Sequence, residues 1–405
     1  MIEVCEVAVP TPGRFGQATM EALIGQGAAA RFDAMNCEPA VAAGCAPDGE
    51  ALILRDQALA ALDGGDASAA LAIAGKGLAA LKAAGLGGGA DAAALLVALA
   101  EIEESLDRFG DAAATIATAI AILEDVVPEG GDDDSLTLWC QAQERLAGLE
   151  RLAGDFDAAM ARLGAVLDRA SAALGEASPP VVSAANALGV VHKYASDFDA
   201  AEAAYQRAVA AARGLADPDP LIQAALLHNL GGLAHSRGDV TGGIPLAEKG
   251  LALRAERLGA DHPDVARDLN ALGALYHLAG RSGDAAQAYR RALAVFEDSY
   301  GPNHFEVAMT CANLAVLAGD QGRLQEAESL GRRSLRILET ALGPGDAEVG
   351  LTLLNLAAVV AGQGRQAEAA ALAARAAAIL TARLPSDHPH VVAAGEALER
   401  LGRRS

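Results

Sequence analysis

Asparagine recurs in this 405-residue chain at intervals of about 42 residues. The five side chains are Asn186, Asn229, Asn270, Asn313 and Asn355. A primary amide offers both a hydrogen-bond donor and an acceptor, so a row of amides can hold the backbone of an extended peptide without selecting its side chains. The competing interpretation is that each asparagine simply ties adjacent helices together.

Basic residues accompany these asparagines at a spacing that helices would place on the same side. One helical turn beyond the asparagine register come Arg151, Lys193, His235 and His277. Arg267 precedes a register leucine by five residues, on the same side. Together these side chains predict a mildly basic, amide-lined stripe in an acidic molecule, suited to an acidic or carboxylate-ended segment. Farther along, Met309, Leu351 and Val316 would make the same surface more apolar, either to hold a hydrophobic anchor or to pack.

The spacings that mark common catalytic and metal sites are missing from the sequence. GLGGGAD at 85–91 lacks the preceding strand and the Lys-Ser/Thr ending of a phosphate loop, so we interpret it as a linker. Neither His-Glu-x-x-His nor a paired Cys-x-x-Cys motif is present. His262 and His304 occupy the same place in successive copies, where a histidine is expected to cap a helix or bond loop backbone. We therefore predict no catalytic residue, no metal and no cofactor.

An internal repeat determines which elements position these residues. A leucine recurs every 42 residues, at Leu146, Leu188, Leu230, Leu272, Leu314, Leu356 and Leu398. In each copy, apolar residues three and four apart predict two amphipathic helices. A small or flexible turn residue separates the helices, at Gly154, Ser196, Gly238, Gly280, Gly322 and Gly364. A second small residue follows five positions later, at Ala159, Ala201, Gly243, Ala285, Ala327 and Ala369. Each copy is therefore predicted to be an antiparallel helical hairpin.

The copy at residues 254–296, RAERLGADHPDVARDLNALGALYHLAGRSGDAAQAYRRALAVF, carries the leader, the leucine, the small turn residue and the alanine together. This pattern resembles the tetratricopeptide repeat, in the 42-residue form of kinesin light chains and many bacterial proteins. The likeness spans residues 50–402. It implies an all-α fold, a right-handed α-solenoid of about eight hairpins with a C-terminal capping helix. In this family the first helices line the concave surface, so the asparagines and basic residues would point into the groove.

The predicted organisation starts with residues 1–49, which match no repeat and are expected to be loosely ordered. The repeats are predicted at 50–88, 91–127, 135–174, 178–215, 218–258, 262–300, 304–342 and 346–384, with a cap helix at 388–402. Gly65 with Ala70 and Asp107 with Ala112 mark the two earliest copies. An acidic loop, PEGGDDDS at 128–135, interrupts the register after them.

The fifth copy departs from the pattern at the start of its second helix. Gly242, Gly243 and Pro245 lie close together there. A helical glycine costs about 1 kcal/mol relative to alanine. This helix is therefore expected to start late or to fray.

Composition limits the classes of partner. The formal net charge of −22 argues against nucleic acid and against anionic membrane surfaces, both of which require basic patches. Apolar stretches fall short of a membrane-spanning length, and the first residues do not resemble a signal peptide. These features predict a cytoplasmic protein, or a periplasmic one if the true start differs. Cys140 and Cys311 are interpreted as apolar fillers, whereas Cys37 and Cys45 are either free thiols or a disulfide.

The functional hypothesis is a non-enzymatic scaffold or adaptor that holds an extended segment of another protein in its concave groove. The alternative is a regulatory or sensor subunit that controls a separately encoded enzyme such as a protease. A third hypothesis is self-association, in which residues 1–49 dock in the groove of the same or another copy. The carboxylate clamp of chaperone-binding relatives is not assembled at its required spacing, so binding of chaperone carboxyl termini has no support.

Overall fold

The structure is a computed structural model that describes residues 47–63, 66–106, 108–126, 133–384 and 388–402. Over these ranges the chain forms 17 α-helices and no strands, which confirms the all-α prediction. The helices group into two compact units, which we call the N-terminal unit (residues 47–216) and the C-terminal unit (residues 217–402).

The N-terminal unit contains four helical hairpins. Their helices are α1 (Pro47–Asp63) with α2 (Ala67–Ala83), α3 (Ala90–Ser105) with α4 (Phe109–Val126), α5 (Asp133–Ala153) with α6 (Phe156–Leu174), and α7 (Pro179–Tyr194) with α8 (Phe198–Arg213). The two helices of each hairpin pack against each other, and each hairpin packs on the next.

The C-terminal unit contains four further hairpins and a final single helix. They are α9 (Pro220–Ser236) with α10 (Val240–Leu258), α11 (Pro263–Leu278) with α12 (Ser282–Tyr300), α13 (Phe305–Asp320) with α14 (Leu324–Leu342), and α15 (Ala347–Gly362) with α16 (Gln366–Arg383). The last helix, α17 (Pro389–Gly402), packs on both helices of the eighth hairpin. Each hairpin needs a neighbour to cover its apolar face, and α17 supplies that cover at the end.

Within each unit the helices form two layers. The first helices of successive hairpins contact one another, as α5 contacts α7 and α11 contacts α13. Second helices of successive hairpins make no such contacts in the described residues. Side chains on neighbouring first helices can therefore meet although they are about 40 residues apart in sequence.

The hairpin turns follow the predicted pattern. The predicted turn residues of hairpins three to eight all have a positive φ, including the one non-glycine among them, Ser196 at 62°. Aspartates at the N-caps of α6, α8 and α10 accept hydrogen bonds from backbone N–H groups three residues on, which satisfies donors that the helix cannot. His262 and His304 cap α11 and α13 through Nδ1, as expected for the leader histidines.

Two glycines allow a first helix to lie directly on a tyrosine ring of its partner. A Cβ added at Gly189 would be 2.5 Å from the ring of Tyr205, and a Cβ at Gly273 would be 2.7 Å from the ring of Tyr289. Both tyrosines are almost completely buried. The same close contact therefore occurs once in each unit, in hairpins four and six.

The predicted late start of the second helix in the fifth copy is wrong. Helix α10 begins at Val240, in register with the other second helices, and Asp239 caps it by accepting from the N–H of Gly242 at 2.9 Å. Gly243 is required by packing, because a Cβ there would be 2.8 Å from Leu275 and 3.0 Å from Ala234. Tertiary contacts thus favour the glycine that helix propensity alone penalises.

The acidic segment at 128–135 is also shorter as a loop than predicted. Its last three residues, Asp133 to Ser135, already belong to α5. Carboxylates in a first helical turn interact favourably with the helix dipole, which explains why this acidic run begins a helix. Residues 128–132, Gly65, Asp107, Cys37, Cys45 and residues 1–46 lie outside the described residues. Cys140 and Cys311 are buried, as predicted.

Candidate peptide-binding surface

The five asparagines all lie on first helices. Asn186 is on α7 in the N-terminal unit, and Asn229, Asn270, Asn313 and Asn355 are on α9, α11, α13 and α15 in the C-terminal unit. Four of these side chains are partly exposed, whereas Asn313 is buried. The register predicted from sequence therefore places the amides on the layer of first helices within each unit.

Two of the asparagines bond to each other. The Asn313 Nδ2 group donates to Oδ1 of Asn270 at 3.2 Å, which ties α11 to α13. For this pair, the contact is the one expected if asparagine ties adjacent helices together. Each amide keeps one unused donor or acceptor group, so the bond reduces the capacity of the pair for a peptide without removing it.

The predicted basic residues of the sixth hairpin are already paired with acids. Arg267 donates from Nε to Glu306 at 2.8 Å, also bonds Asp264, and reaches the Tyr300 hydroxyl at 3.2 Å. His277 Nε2 lies 2.9 Å from Asp320 Oδ2, between α11 and α13. These partners offset the positive charge that the stripe was expected to offer at this end. His235, on α9, is partly exposed.

A buried charge cluster also links three helices of the C-terminal unit. Asp268 on α11 is only 3% exposed, and its Oδ1 lies 2.7 Å from Nδ1 of His228 on α9. Its Oδ2 lies 3.0 Å from Nε of Arg254 on α10. These residues were not predicted as a site. A basic residue followed by an acid about one repeat later, as in 228 and 268 or 277 and 320, is the sequence signal that indicates such pairs.

The N-terminal unit holds its two predicted cations differently. The Arg151 guanidinium on α5 stacks over the ring of Tyr194 on α7, with Cζ 4.6 Å from the ring centroid. Lys193 Nζ lies 5.3 Å from the same centroid. Neither cation forms an ion pair or hydrogen bond with any described residue. Burial and the nearby Arg151 charge both lower the pKa of Lys193. We call Arg151, Lys193 and Tyr194 the cation site.

An unsatisfied donor lies beside the cation site. The hydroxyl of Tyr205 on α8 is buried and has no hydrogen-bond partner among the described residues. Burial raises the pKa of Tyr205. The interaction with Tyr194 also raises it, whereas the positive charge of Arg151 lowers it. The region therefore contains two cations and a phenol for which the described residues supply no hydrogen-bond acceptor.

Acids on the same layer of the N-terminal unit are engaged elsewhere. Glu144 lies two turns before Arg151 on α5 and accepts a hydrogen bond from the Ser183 hydroxyl. Burial raises the pKa of Glu144 to about 7, although the Ser183 bond opposes the shift. Arg145 pairs with Glu101 at 2.8 Å and with Glu104 at 2.9 Å. These acids therefore leave the charge of the cation site uncompensated.

The apolar continuation of the surface is only partly as predicted. Met309 and Leu351 are buried in the core of the C-terminal unit, so of the two alternatives considered for them, a hydrophobic anchor or packing, they pack. Val316 is partly buried and lines a pocket between α13, α14 and α15. Asn355 lies at the same pocket. No group of described residues is arranged to hold a metal ion.

The repeat pattern matches a known sequence family. The family model described as Tetratricopeptide repeat matches residues 135–214, 222–298, 284–340 and 305–382, together more than half of the chain. The chain belongs to the tetratricopeptide repeat family. Hairpins three to eight carry the sequence match, whereas the first two hairpins are evident from the structure. No curated protein sequence matches this tetratricopeptide repeat protein.

The chain is also similar to solved structures of other proteins. A Rap protein complexed with competence and sporulation factor is 12% identical with a TM-score of 0.54, over 78% of this chain and 88% of that one. The apo form of RapI is 12% identical with a TM-score of 0.52, over 77% and 87%. BtubC (BKLC) from P. vanneervenii is 24% identical with a TM-score of 0.48, over 57% and 95%.

Family membership also describes the general role of the surface. The tetratricopeptide repeat fold is typically a non-enzymatic scaffold on which proteins interact, and stacked repeats provide the extended surfaces for that role. Among the helices of the described ranges, none is long and apolar enough to cross a bilayer.

Proposed function

We propose that this tetratricopeptide repeat protein is a non-enzymatic scaffold that binds an extended, acidic or carboxylate-ended peptide on its first helices. The observation that carries the proposal is the cation site, where Arg151 and Lys193 flank Tyr194 without an acid from the described chain. The partly exposed amide of Asn186 adds a polar group to the first helices of the same unit, and Asn229 and Asn355 are partly exposed on first helices of the C-terminal unit.

The chemistry of the cation site favours a carboxylate as its ligand. A partly buried cation without a counter-ion is unfavourable, and the lowered pKa of Lys193 reflects that cost. A carboxylate accepts hydrogen bonds from a guanidinium and an ammonium at once, and charge-assisted bonds of this kind are the strong ones. Binding of an acidic peptide would therefore raise the pKa of Lys193.

A preformed surface suits this task because only the peptide must become ordered on binding. The two helical layers of each unit hold the first helices in fixed positions. A crystal structure of a Rap protein, which shares the fold, contains competence and sporulation factor, which supports a binding role for such a scaffold.

The test measures the affinity of a defined peptide for the full chain by fluorescence anisotropy. The probe is a fluorescein-labelled dodecapeptide of alternating serine and glutamate, prepared with an amidated and with a free C-terminus. The variant Arg151→Gln/Lys193→Gln should bind at least about tenfold more weakly. The control Lys76→Gln/Arg213→Gln removes the same charge from second helices of the same unit and should bind like wild type.

Two outcomes would overturn this proposal. Equal losses in the two double variants would mean that only net charge matters. Equal binding of a serine–glutamine peptide would remove the carboxylate from the recognition. A preference for the free C-terminus over the amide, lost in the Arg151 and Lys193 variant, would identify a terminal carboxylate as the ligand. Equal binding of both glutamate peptides would identify side-chain carboxylates.

A further inference from the structure

A pocket opens between three helices of the C-terminal unit. Its walls come from α13, α14 and α15, and include Ala315, Ala327, Gly331, Leu356 and Val359. A Cβ added at Gly331 would meet only Leu356 at 3.4 Å and Ala315 at 3.9 Å, which are ordinary contacts. Gly331 therefore lies against space that a side chain could occupy.

In the 42-residue register, hairpin three has a leucine at the position of Gly331. In hairpin three, Leu163 is fully buried in a cluster with Ala147, Ala159 and Val191, and Leu188 packs against it. Four repeats later these positions are Gly331, Ala315, Ala327, Val359 and Leu356. Four of the five positions have the same residue type in both hairpins. Only the leucine is replaced by glycine.

Hairpin six has different residues at some of these positions. There Tyr289 stands in the position of Gly331, and Gly273 stands in the position of Ala315. The tyrosine ring leaves no room for a Cβ at 273. An alanine at 315 therefore excludes a ring in that orientation, whereas Ala147 accepts the branched aliphatic chain of Leu163. The walls of the pocket thus match a leucine rather than a tyrosine.

We propose that the pocket binds a leucine side chain of a peptide partner, which supplies in trans the residue that Gly331 lacks. Asn355 lies at this pocket and its amide has no hydrogen-bond partner among the described residues. It is therefore available to bond the peptide backbone beside the inserted side chain. The inference deepens the proposed function by naming an apolar anchor, and rests on it only in taking the occupant to be part of a peptide.

The experiment uses the full chain and a small neutral probe, so its result does not depend on the cation site. N-acetyl-leucine amide is titrated into protein with ¹³C-labelled methyl groups, and the signals of Val316, Leu356 and Val359 are followed by NMR. We expect saturable shifts, with N-acetyl-alanine amide binding at least about tenfold more weakly because it buries three fewer carbon groups.

The decisive variant is Gly331→Leu, which restores the residue pair of hairpin three and fills the pocket from within. It should abolish the shifts and leave the helical circular dichroism intact. Gly331→Ala, which adds one methyl group with room to spare, keeps the test informative if the leucine variant fails to fold and should weaken binding. Gly231→Ala is the matched control, because its Cβ meets Ala247 at 3.4 Å away from the pocket.

Three results would overturn the inference. They are shifts that do not saturate, equal affinity for the leucine and alanine amides, and binding by Gly331→Leu at the wild-type level. Loss of acidic-peptide binding in the Arg151 and Lys193 variant would leave this result unaffected. The two proposals can therefore fail separately.

Discussion

The two units are built from the same hairpin but differ in whether some of their basic side chains have acidic partners. Residues 47–216 contain 26 acidic and 11 basic residues, whereas residues 217–402 contain 22 and 16. Yet it is in the more acidic N-terminal unit that Arg151 and Lys193 have no acidic partner among the described residues. In the C-terminal unit, Arg267, His277 and Arg254 each lie beside a carboxylate.

The difference shows that net charge does not decide where cations lack an acidic partner. An ion pair between adjacent first helices neutralises the positive charge, whereas a cation stacked on an aromatic ring is not neutralised. The two units also differ in how they fill an equivalent apolar position. Hairpin three fills its volume with Leu163, whereas hairpin seven leaves it open beside Gly331.

The largest expected effect comes from removing one partner of an ion pair in the C-terminal unit. Arg254→Met leaves Asp268 buried with His228 as its remaining partner, and should lower the free energy of unfolding by about 3 kcal/mol in urea titrations. The double variant Arg254→Met/Asp268→Leu should recover much of this loss, because it removes the stranded carboxylate. A loss below about 1 kcal/mol in the single variant would show that the pair contributes little.

The next effect tests whether the two units share the same tight helix contact. Gly189→Ala and Gly273→Ala should each cost about 2 kcal/mol, because the new methyl group meets a buried tyrosine ring. Gly231→Ala, whose methyl group has room, should be neutral or stabilise by up to about 1 kcal/mol. Thermal unfolding monitored by circular dichroism checks all three. Equal effects at the three positions would contradict the packing argument.

A smaller effect compares one acid from each unit. Burial raises the pKa of Glu144 to about 7, whereas hydrogen bonds from Arg365 lower the pKa of Glu328 to about 2. Carboxyl NMR titration should show both values. Because the folded pKa of Glu144 lies above its unfolded value, its contribution to stability is complete below about pH 4.5 and is lost as pH rises through 7. The part of that loss that falls between about pH 4.5 and pH 6 should be about 1 to 2 kcal/mol, and absent in Glu144→Gln.

The companion variant Ser183→Ala removes the hydrogen bond that favours the ionised carboxylate of Glu144. It should therefore raise the pKa of Glu144 further. An unchanged titration curve in Ser183→Ala would show that the bond is not maintained in solution.

The smallest expected effect comes from removing a cation of the N-terminal unit that has no acidic partner. Lys193→Met removes a partly buried cation that has no acidic partner, so it should leave the free energy of unfolding unchanged or raise it by up to about 1 kcal/mol. Urea titration beside Arg254→Met provides the direct contrast. A loss comparable to that of Arg254→Met would mean that Lys193 is used for stability rather than for binding.

Local patterns were sufficient for much of this fold. The turn glycines, the leader histidines and the small residues facing across each hairpin act within one copy, where helix geometry fixes which residues meet. The prediction for α10 failed because Gly243 is needed for contact with Leu275, in the next hairpin. The sequence left open whether Met309 and Leu351 hold an anchor or pack, because periodicity does not show how closely the next helix covers a helix face.

By itself, the sequence determined the repeat, the hairpin and the layer of helices on which the asparagines and basic residues lie. Only the tertiary structure decided which of those side chains remain available. Asn270 bonds Asn313, and Arg267 bonds Glu306, because residues about 40 apart come within reach only when two first helices pack side by side. Hydrogen bonds and ion pairs depend on such distances to within a few tenths of an ångström, and side-chain periodicity does not specify them.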